Sequence, residues 1–305
     1  VNASRIWVLS LAVAAALPLA ADQARPLTND AGIRFWLRTM ATHHYTADEM
    51  AQVLGMSVAE TRAAGVRFGI RPFTPSSNAL LVLPYPGGRH PRIGFLDGAF
   101  DPQRETKVSV FAPWDPASYA VVDVPEAIFS NVGLIYLAHT HVPTIWSAKG
   151  ISLPPLEWNR KEDGSFESER LLPNGIAFGA RVVPSSNMVR MELWLRNGTD
   201  RALTDLRVQN CVMLKGLAGF NQQTNSNKVL ADPFVACSSP DKKRWIITAW
   251  DNLHRTWANP PVPCIHSDPK FPDCPPGATT RVRGLLTFYE GTDIQSEFKR
   301  LRLLL

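Results

Sequence analysis

The sequence predicts a mainly β protein: an antiparallel β-sandwich, of supersandwich or cupin-like type, with an N-terminal helical hairpin. Three observations lead there. Short apolar segments recur from Leu80 to Tyr289, separated by Pro, Gly and Asp. Several of them alternate apolar and polar residues with the period of a half-buried strand. They are not interleaved with the helices that a parallel sheet requires.

In chain order, Val1–Ala24 reads first. Arg5 precedes an apolar run from Ile6 to Leu17, broken by Pro18 and followed by Ala20, Ala21 and Ala24. This layout predicts a secretory signal peptide over 1–21, ending by about residue 24, and hence a secreted or periplasmic protein. The run is shorter than the ~20 residues of a membrane span, and no later segment is apolar for that long, so no span is expected in the mature chain. Removal leaves enough of the 305 residues for one large β domain or two smaller ones.

Residues 28–72 read as helical. Ile33, Trp36, Leu37 and Met40 have helical spacing. Thr46 with Glu49, and Ser57 with Glu60, form two capping boxes, and Gly55 ends the helix between them. Ala51, Leu54, Val58 and Val66 are expected on the inner face. The outline is that of a DNA-reading helix-turn-helix. However, only Arg62 and Arg67 supply charge on the second helix, too few to neutralise a phosphate backbone. A formal net charge of +5 over the whole chain is mild, so no nucleic-acid partner is expected.

The sandwich domain is expected over 80–305. Strands are predicted at Leu80–Leu83, Lys107–Phe111, Tyr119–Val124, Gly133–His139, Arg244–Ala249 and Arg281–Tyr289. Val189, Met191, Leu193 and Leu195 alternate with polar partners. Asn197-Gly198 follows, and Leu206 to Leu214 alternates again, which predicts a hairpin. Ile294, Phe298, Leu301 and Leu305 predict a short closing helix.

The stretch Asn187–Leu214, containing MELWLRNGTDRALTDLRVQNCVML, resembles the galactose-mutarotase-like sandwich proteins that bind or process carbohydrate. RETKVSVFAPWDP, LAHTHVPTIW, LPNGIAFGARVVP and CIHSDPKFPDCPPG resemble a family of secreted bacterial proteins with no assigned activity. The first resemblance implies a carbohydrate ligand, and the second adds no mechanism.

The four cysteines fall in the C-terminal half. In an exported protein an even count predicts disulfides, with Cys264–Cys274 closing a Pro-rich loop and Cys211–Cys237 as the second bond. Zinc held by Cys264, His266 and Cys274 is the competing reading. It lacks the paired Cys spacing of structural zinc sites.

The sharpest polar motif is His139-Thr140-His141. Two residues apart on a strand, both imidazoles face one side. They are candidates for a divalent metal site of cupin-like type, for acid–base work near neutral pH, or for a structural role. Cupin-like proteins carry a Glu soon after the pair. Here the next is Glu157, and the later histidines are His254 and His266.

Asp251 and His254 in AWDNLHRTWANP follow a strand end, where sandwich proteins place sites. Asp97 and Asp101 read as turn residues, and His43-His44 as a surface turn. Catalytic candidates are therefore His139, His141, Asp251, His254 and His266. Pro stands at 25 and Trp at 9, and rigid loops bearing indoles suit sugar stacking. Trp146, Trp158, Glu157, Trp250, Arg255 and Trp257 are the substrate-binding candidates. No nucleophile elbow, phosphate loop or dinucleotide fingerprint occurs.

Three functions follow as expectations. The first is a secreted carbohydrate-binding or carbohydrate-active sandwich; as an enzyme it would be a polysaccharide-acting hydrolase, lyase or isomerase. The second is a cupin-like metal enzyme using His139 and His141. The third is a non-catalytic envelope interaction protein.

Overall fold

Two capping boxes set the N-terminal helical unit, as the sequence requires. In this computed structural model, residues 27–42, 45–74, 79–84, 106–138, 142–156, 158–161 and 163–305 are described. The expected signal peptide, His43-His44, Asp97, Asp101, His139, His141 and Glu157 lie outside them. Helices α1 (Asp30–Thr42), α2 (Ala47–Leu54) and α3 (Val58–Phe68) pack on one another. Thr46 Oγ1 accepts from the Glu49 N–H while the Thr46 N–H donates to the Glu49 carboxylate, and Ser57 and Glu60 repeat the arrangement. Gly55 and Gly69 end α2 and α3 at φ 63° and 66°, a left-handed conformation that glycine adopts without strain.

The helices bury Leu37, Met40, Met50, Val53, Leu54 and Ala64 in a core of their own. Val66, expected inside, is 84% exposed. The buried positions of α3 are instead Thr61, Ala64 and Gly65, one side of the helix away from Val66. No described helix is long and apolar enough to cross a membrane.

The rest of the described chain is a mainly β, antiparallel sandwich. An eight-stranded sheet runs β12 (Lys228–Ala231), β13 (Phe234–Ser238), β14 (Arg244–Trp250), β17 (Thr279–Glu290), β9 (Met188–Arg196), β8 (Ala177–Pro184), β7 (Phe166–Leu171) and β6 (Asn159–Arg160). Against it lies a six-stranded sheet: β1 (Val82–Pro84), β2 (Lys107–Ala112), β3 (Asp115–Asp123), β11 (Val212–Met213), β16 (Cys264–Pro269) and β15 (Leu253–Asn259). A third sheet orders β10 (Val208–Gln209), β4 (Ala127–Ser130) and β5 (Gly133–Leu137).

One core fills the sandwich. Val108, Val110, Val122, Val212 and Ile265 from the six-stranded sheet join Val189, Leu193, Val235, Ile246, Val282 and Leu286 from the eight-stranded one. β13 and β14 are buried on both faces, because α4 (Ile294–Arg302) lays Phe298 and Leu301 over Phe234, Ala236, Ile247 and Leu285. Burying two such side chains contributes roughly 1.5–3 kcal/mol each.

Asn197-Gly198 does not turn β9 back on itself. β9 pairs with β8 and β17, while Val208–Gln209 pairs with β4, and Val212–Met213 with β3 and β16. The Asn197 amide is fully buried and donates to the Arg201 and Cys274 carbonyls. Gly198 packs on Gly175 so closely that a Cβ would sit 2.2 Å from the Gly175 oxygen. The dipeptide thus anchors a crossing between sheets.

Neither expected disulfide is formed, and all four cysteines are buried free thiols. CIHSDP is a strand rather than a loose loop, so it carries the chain about 17 Å away from Cys264 before Cys274 is reached. Cys274 Sγ faces the Ala278 carbonyl at 3.3 Å. Cys237 sits in β13 with its sulfur 3.8 Å from the Phe220 carbonyl, across the sandwich core from the face that carries Cys211.

Candidate functional site

β16 places Cys264, His266 and Asp268 on one face and Ile265 on the other, by strand alternation. Ile265 enters the sandwich core, so the Cys-x-His-x-Asp series projects away from it. β15 and β11 flank the strand. Trp257 lies opposite His266 and Arg255 opposite Asp268. The pairing of Val212 with Ile265 sets Cys211 beside His266.

The cluster is tight and buried. Cys264 Sγ is 3.1 Å from His266 Nε2. Sulfur atoms of Cys211 and Cys264 and an imidazole nitrogen of His266 all lie within 4.8 Å of one another. Behind the imidazole, His266 Nδ1 stands 3.9 Å from Asp268 Oδ1 and has no hydrogen-bond partner. Asp268 is fixed by three donors: the Asn210 N–H at 3.0 Å, the Trp257 indole at 2.7 Å and the Arg255 Nε at 2.9 Å. The Trp257 ring stacks on His266, centroids 3.8 Å apart.

A hydrogen-bonded line runs from Asp268 out to half-exposed Arg255 and back to buried Glu126. Arg255, half exposed, donates to the Gln209 side-chain Oε1 at 3.5 Å, and Gln209 Nε2 donates to the Glu126 carboxylate at 2.7 Å. Farther along the sheet, Lys107 and Asp123 form a buried ion pair at 2.8 Å. The Asp123 N–H donates to the Cys211 carbonyl, which ties that pair to the cluster's backbone.

The electrostatics follow from this crowding. The Cys211 thiol donates to Cys264 and, with His266 and against burial, holds Cys264 down to about 5. The same bond, together with burial, pushes Cys211 well up. Burial alone would lower His266, but the Cys264 sulfur and the Asp268 and Glu126 carboxylates outweigh it and raise it. Burial raises Asp268. Three donors nevertheless surround that carboxylate, and they satisfy its ionised form. The arrangement can share a proton between Cys264 and His266, with the Asp268 carboxylate 3.9 Å behind the ring, and it offers two sulfurs and a nitrogen to a soft cation.

Of the residues singled out from sequence, His266, Arg255 and Trp257 meet here. His254 is exposed at a bulge of β15. Asp251 accepts the Arg283 N–H of β17 at 2.7 Å. Trp250 is buried under Gly284, Trp158 is buried in the core, and the buried Trp146 indole donates to the Ile135 carbonyl at 2.8 Å. Trp257 is thus the half-buried indole among the four stacking candidates.

Sequence reasoning missed Cys211 and Cys264 as a facing pair, and it missed Asp268, Gln209 and Glu126. The signal was in CIHSDP: period-two spacing of Cys, His and Asp marks one strand face.

No family model matches the chain, and no curated protein matches it. Among solved structures it is similar to a candidate kojibiose phosphorylase from the human microbiome, at 4% identity and TM-score 0.35, over 61% of this chain and 25% of that one. It is also similar to a candidate aldose 1-epimerase from Klebsiella pneumoniae, at 11% identity and TM-score 0.34, over 58% and 63%. A heparan sulfate lyase mutant from Pedobacter heparinus is similar at 10% identity and TM-score 0.35, over 88% and 43%. Each is a carbohydrate-active enzyme by its name. The chain spans a quarter of the phosphorylase's length.

Proposed function

We propose that this chain is an exported β-sandwich protein that binds and acts on carbohydrate at the β15–β16 edge of the six-stranded sheet. One observation carries the reading: the unbroken line Glu126–Gln209–Arg255–Asp268, with Trp257 beside it. A sugar presents hydroxyls that each donate and accept. Carboxylate, amide and guanidinium in one hydrogen-bonded row answer both needs, and the edge of Trp257, whose ring stacks on His266 and lies under Arg255, offers apolar surface at the row's end. Such a mixture of a few convergent polar groups and an aromatic wall is what orients small ligands.

Asp268 is engaged by three protein donors and serves to hold Arg255 and Trp257 in place. Glu126 is buried at the far end of the row, bonded by the Gln209 side-chain amide, and we assign it acid–base work on the ligand. Proton transfer of this kind is what isomerases and lyases need.

A glycan array followed by calorimetry tests the reading. The account expects binding by the wild type, loss of affinity in Arg255→Ala, and retained binding with lost turnover in Glu126→Gln. Silence on the array and in reducing-end assays would overturn it in favour of an interaction protein. The N-terminal mass of periplasmic material tests export, with cleavage expected between Ala20 and Ala24.

A further inference from the structure

We infer that Cys211, Cys264 and His266 form a binding site for a single soft divalent cation, of which zinc is the natural representative. The inference stands on geometry and does not need the carbohydrate reading. A tetrahedral zinc with Zn–S of about 2.3 Å and Zn–N of about 2.0–2.1 Å sets its ligand atoms roughly 3.5–3.8 Å apart. The three donor atoms here lie within 4.8 Å of one another, and the Cys264–His266 edge is 3.1 Å. The set brackets that tetrahedron, and small side-chain rotations complete it.

Three features favour a cation over a plain thiol cluster. Thiolate and imidazole are the donors that soft and borderline metals select. Metal-ligating histidines are backed by a carboxylate that fixes the ring and its tautomer. Asp268 stands behind His266 Nδ1, is itself pinned by Asn210, Trp257 and Arg255, and faces a buried nitrogen with no other partner. Finally, Cys264 and His266 come from β16, while Cys211 sits in the two-residue link between β10 and β11 with its carbonyl held by the Asp123 N–H, so every donor is fixed by strand pairing or a backbone bond. A site built on strands is preorganised.

Three protein donors leave the fourth tetrahedral position open, the pattern of catalytic rather than structural zinc. A disulfide between the same sulfurs is the rival outcome. The register works against it: Met213, not Cys211, pairs with Cys264, so the two cysteines are diagonal neighbours. Diagonal positions lie about 7–8 Å apart at Cα, beyond ordinary disulfide reach.

The test uses the full chain, purified without chelator from zinc-supplemented cells, and reads metal by elemental mass spectrometry. The wild type should carry one zinc per chain. Cobalt exchange should give tetrahedral visible bands and a thiolate charge-transfer band. Cys211→Ser, Cys264→Ser and His266→Ala should each lose the metal, and Asp268→Asn should weaken it roughly 10–100-fold. Cys237→Ser and Cys274→Ser remove buried thiols outside the cluster and should keep full occupancy, which separates ligation from general damage to the fold. The inference fails if the folded wild type takes up neither zinc nor cobalt. It also fails if Cys237→Ser loses as much metal as Cys264→Ser, or if peptide mapping finds a Cys211–Cys264 disulfide. Metal is read without any sugar, so its failure and that of the carbohydrate reading are separate results.

Discussion

Replacing Lys107 by Met should destabilise the sandwich severely, and replacing its partner as well should restore most of the loss. Lys107 Nζ and Asp123 Oδ1 are 2.8 Å apart, with both side chains 3% exposed. At that separation, and an effective dielectric near 20, their attraction is about 6 kcal/mol before the cost of removing either charge from water. Most of this is cancelled by desolvation while both charges are present. Lys107→Met removes the attraction but leaves Asp123 desolvated, so the expected loss is about 3–5 kcal/mol. Whole-domain stability is only about 5–15 kcal/mol, so the shift is large. Lys107→Met/Asp123→Leu buries no charge and should recover to within about 1–2 kcal/mol of wild type. Urea unfolding followed by tryptophan fluorescence measures both. A single variant within about 1 kcal/mol of wild type, or a double variant no better than the single, would refute the reasoning.

Other outcomes follow from the same contacts. Gly284→Ala would place a Cβ 2.4 Å from the ring of Trp250, which is 1% exposed and has nowhere to move, so a loss of at least ~1–3 kcal/mol is expected in urea melts. Thr46→Ala removes one capping box and should cost the helical unit about 1 kcal/mol, seen as a lower melting temperature by far-ultraviolet dichroism. Burial pushes the Cys237 thiol up to about 12. Its raised folded value means that the unfolded chain loses this proton first as pH rises. The wild type should therefore lose roughly 1 kcal/mol per pH unit relative to Cys237→Val between about pH 9 and 12, with no difference below.

The sandwich was legible because β2, β3, β9, β14 and β17 each announce themselves by alternation or by β-branched runs. The helical unit was legible for a different reason: Thr46/Glu49 and Ser57/Glu60 are local signals that need no tertiary partner. What failed was long-range pairing. Asn197-Gly198 has the chemistry of a hairpin turn, yet burial of its amide and contact with Gly175 decide otherwise. CIHSDPKFPDC looks like a loop because Pro and Asp depress β propensity, although cross-strand partners on β15 hold its first half as β16. The site suffered most, since Cys211 and Cys264 are distant in sequence and meet only through the β11–β16 register. Three of the four tryptophans offered as stacking surfaces are core residues, for an indole beside Pro or Asp reads the same whether it points inward or outward.

Hydrogen–deuterium exchange with and without a bound oligosaccharide tests most directly where ligand sits. The account predicts slowed exchange confined to peptides over 124–130, 207–213 and 253–269, which carry Glu126, Gln209, Arg255 and Trp257. Protection centred instead on 142–158, or spread over the helical unit at 30–68, would contradict it.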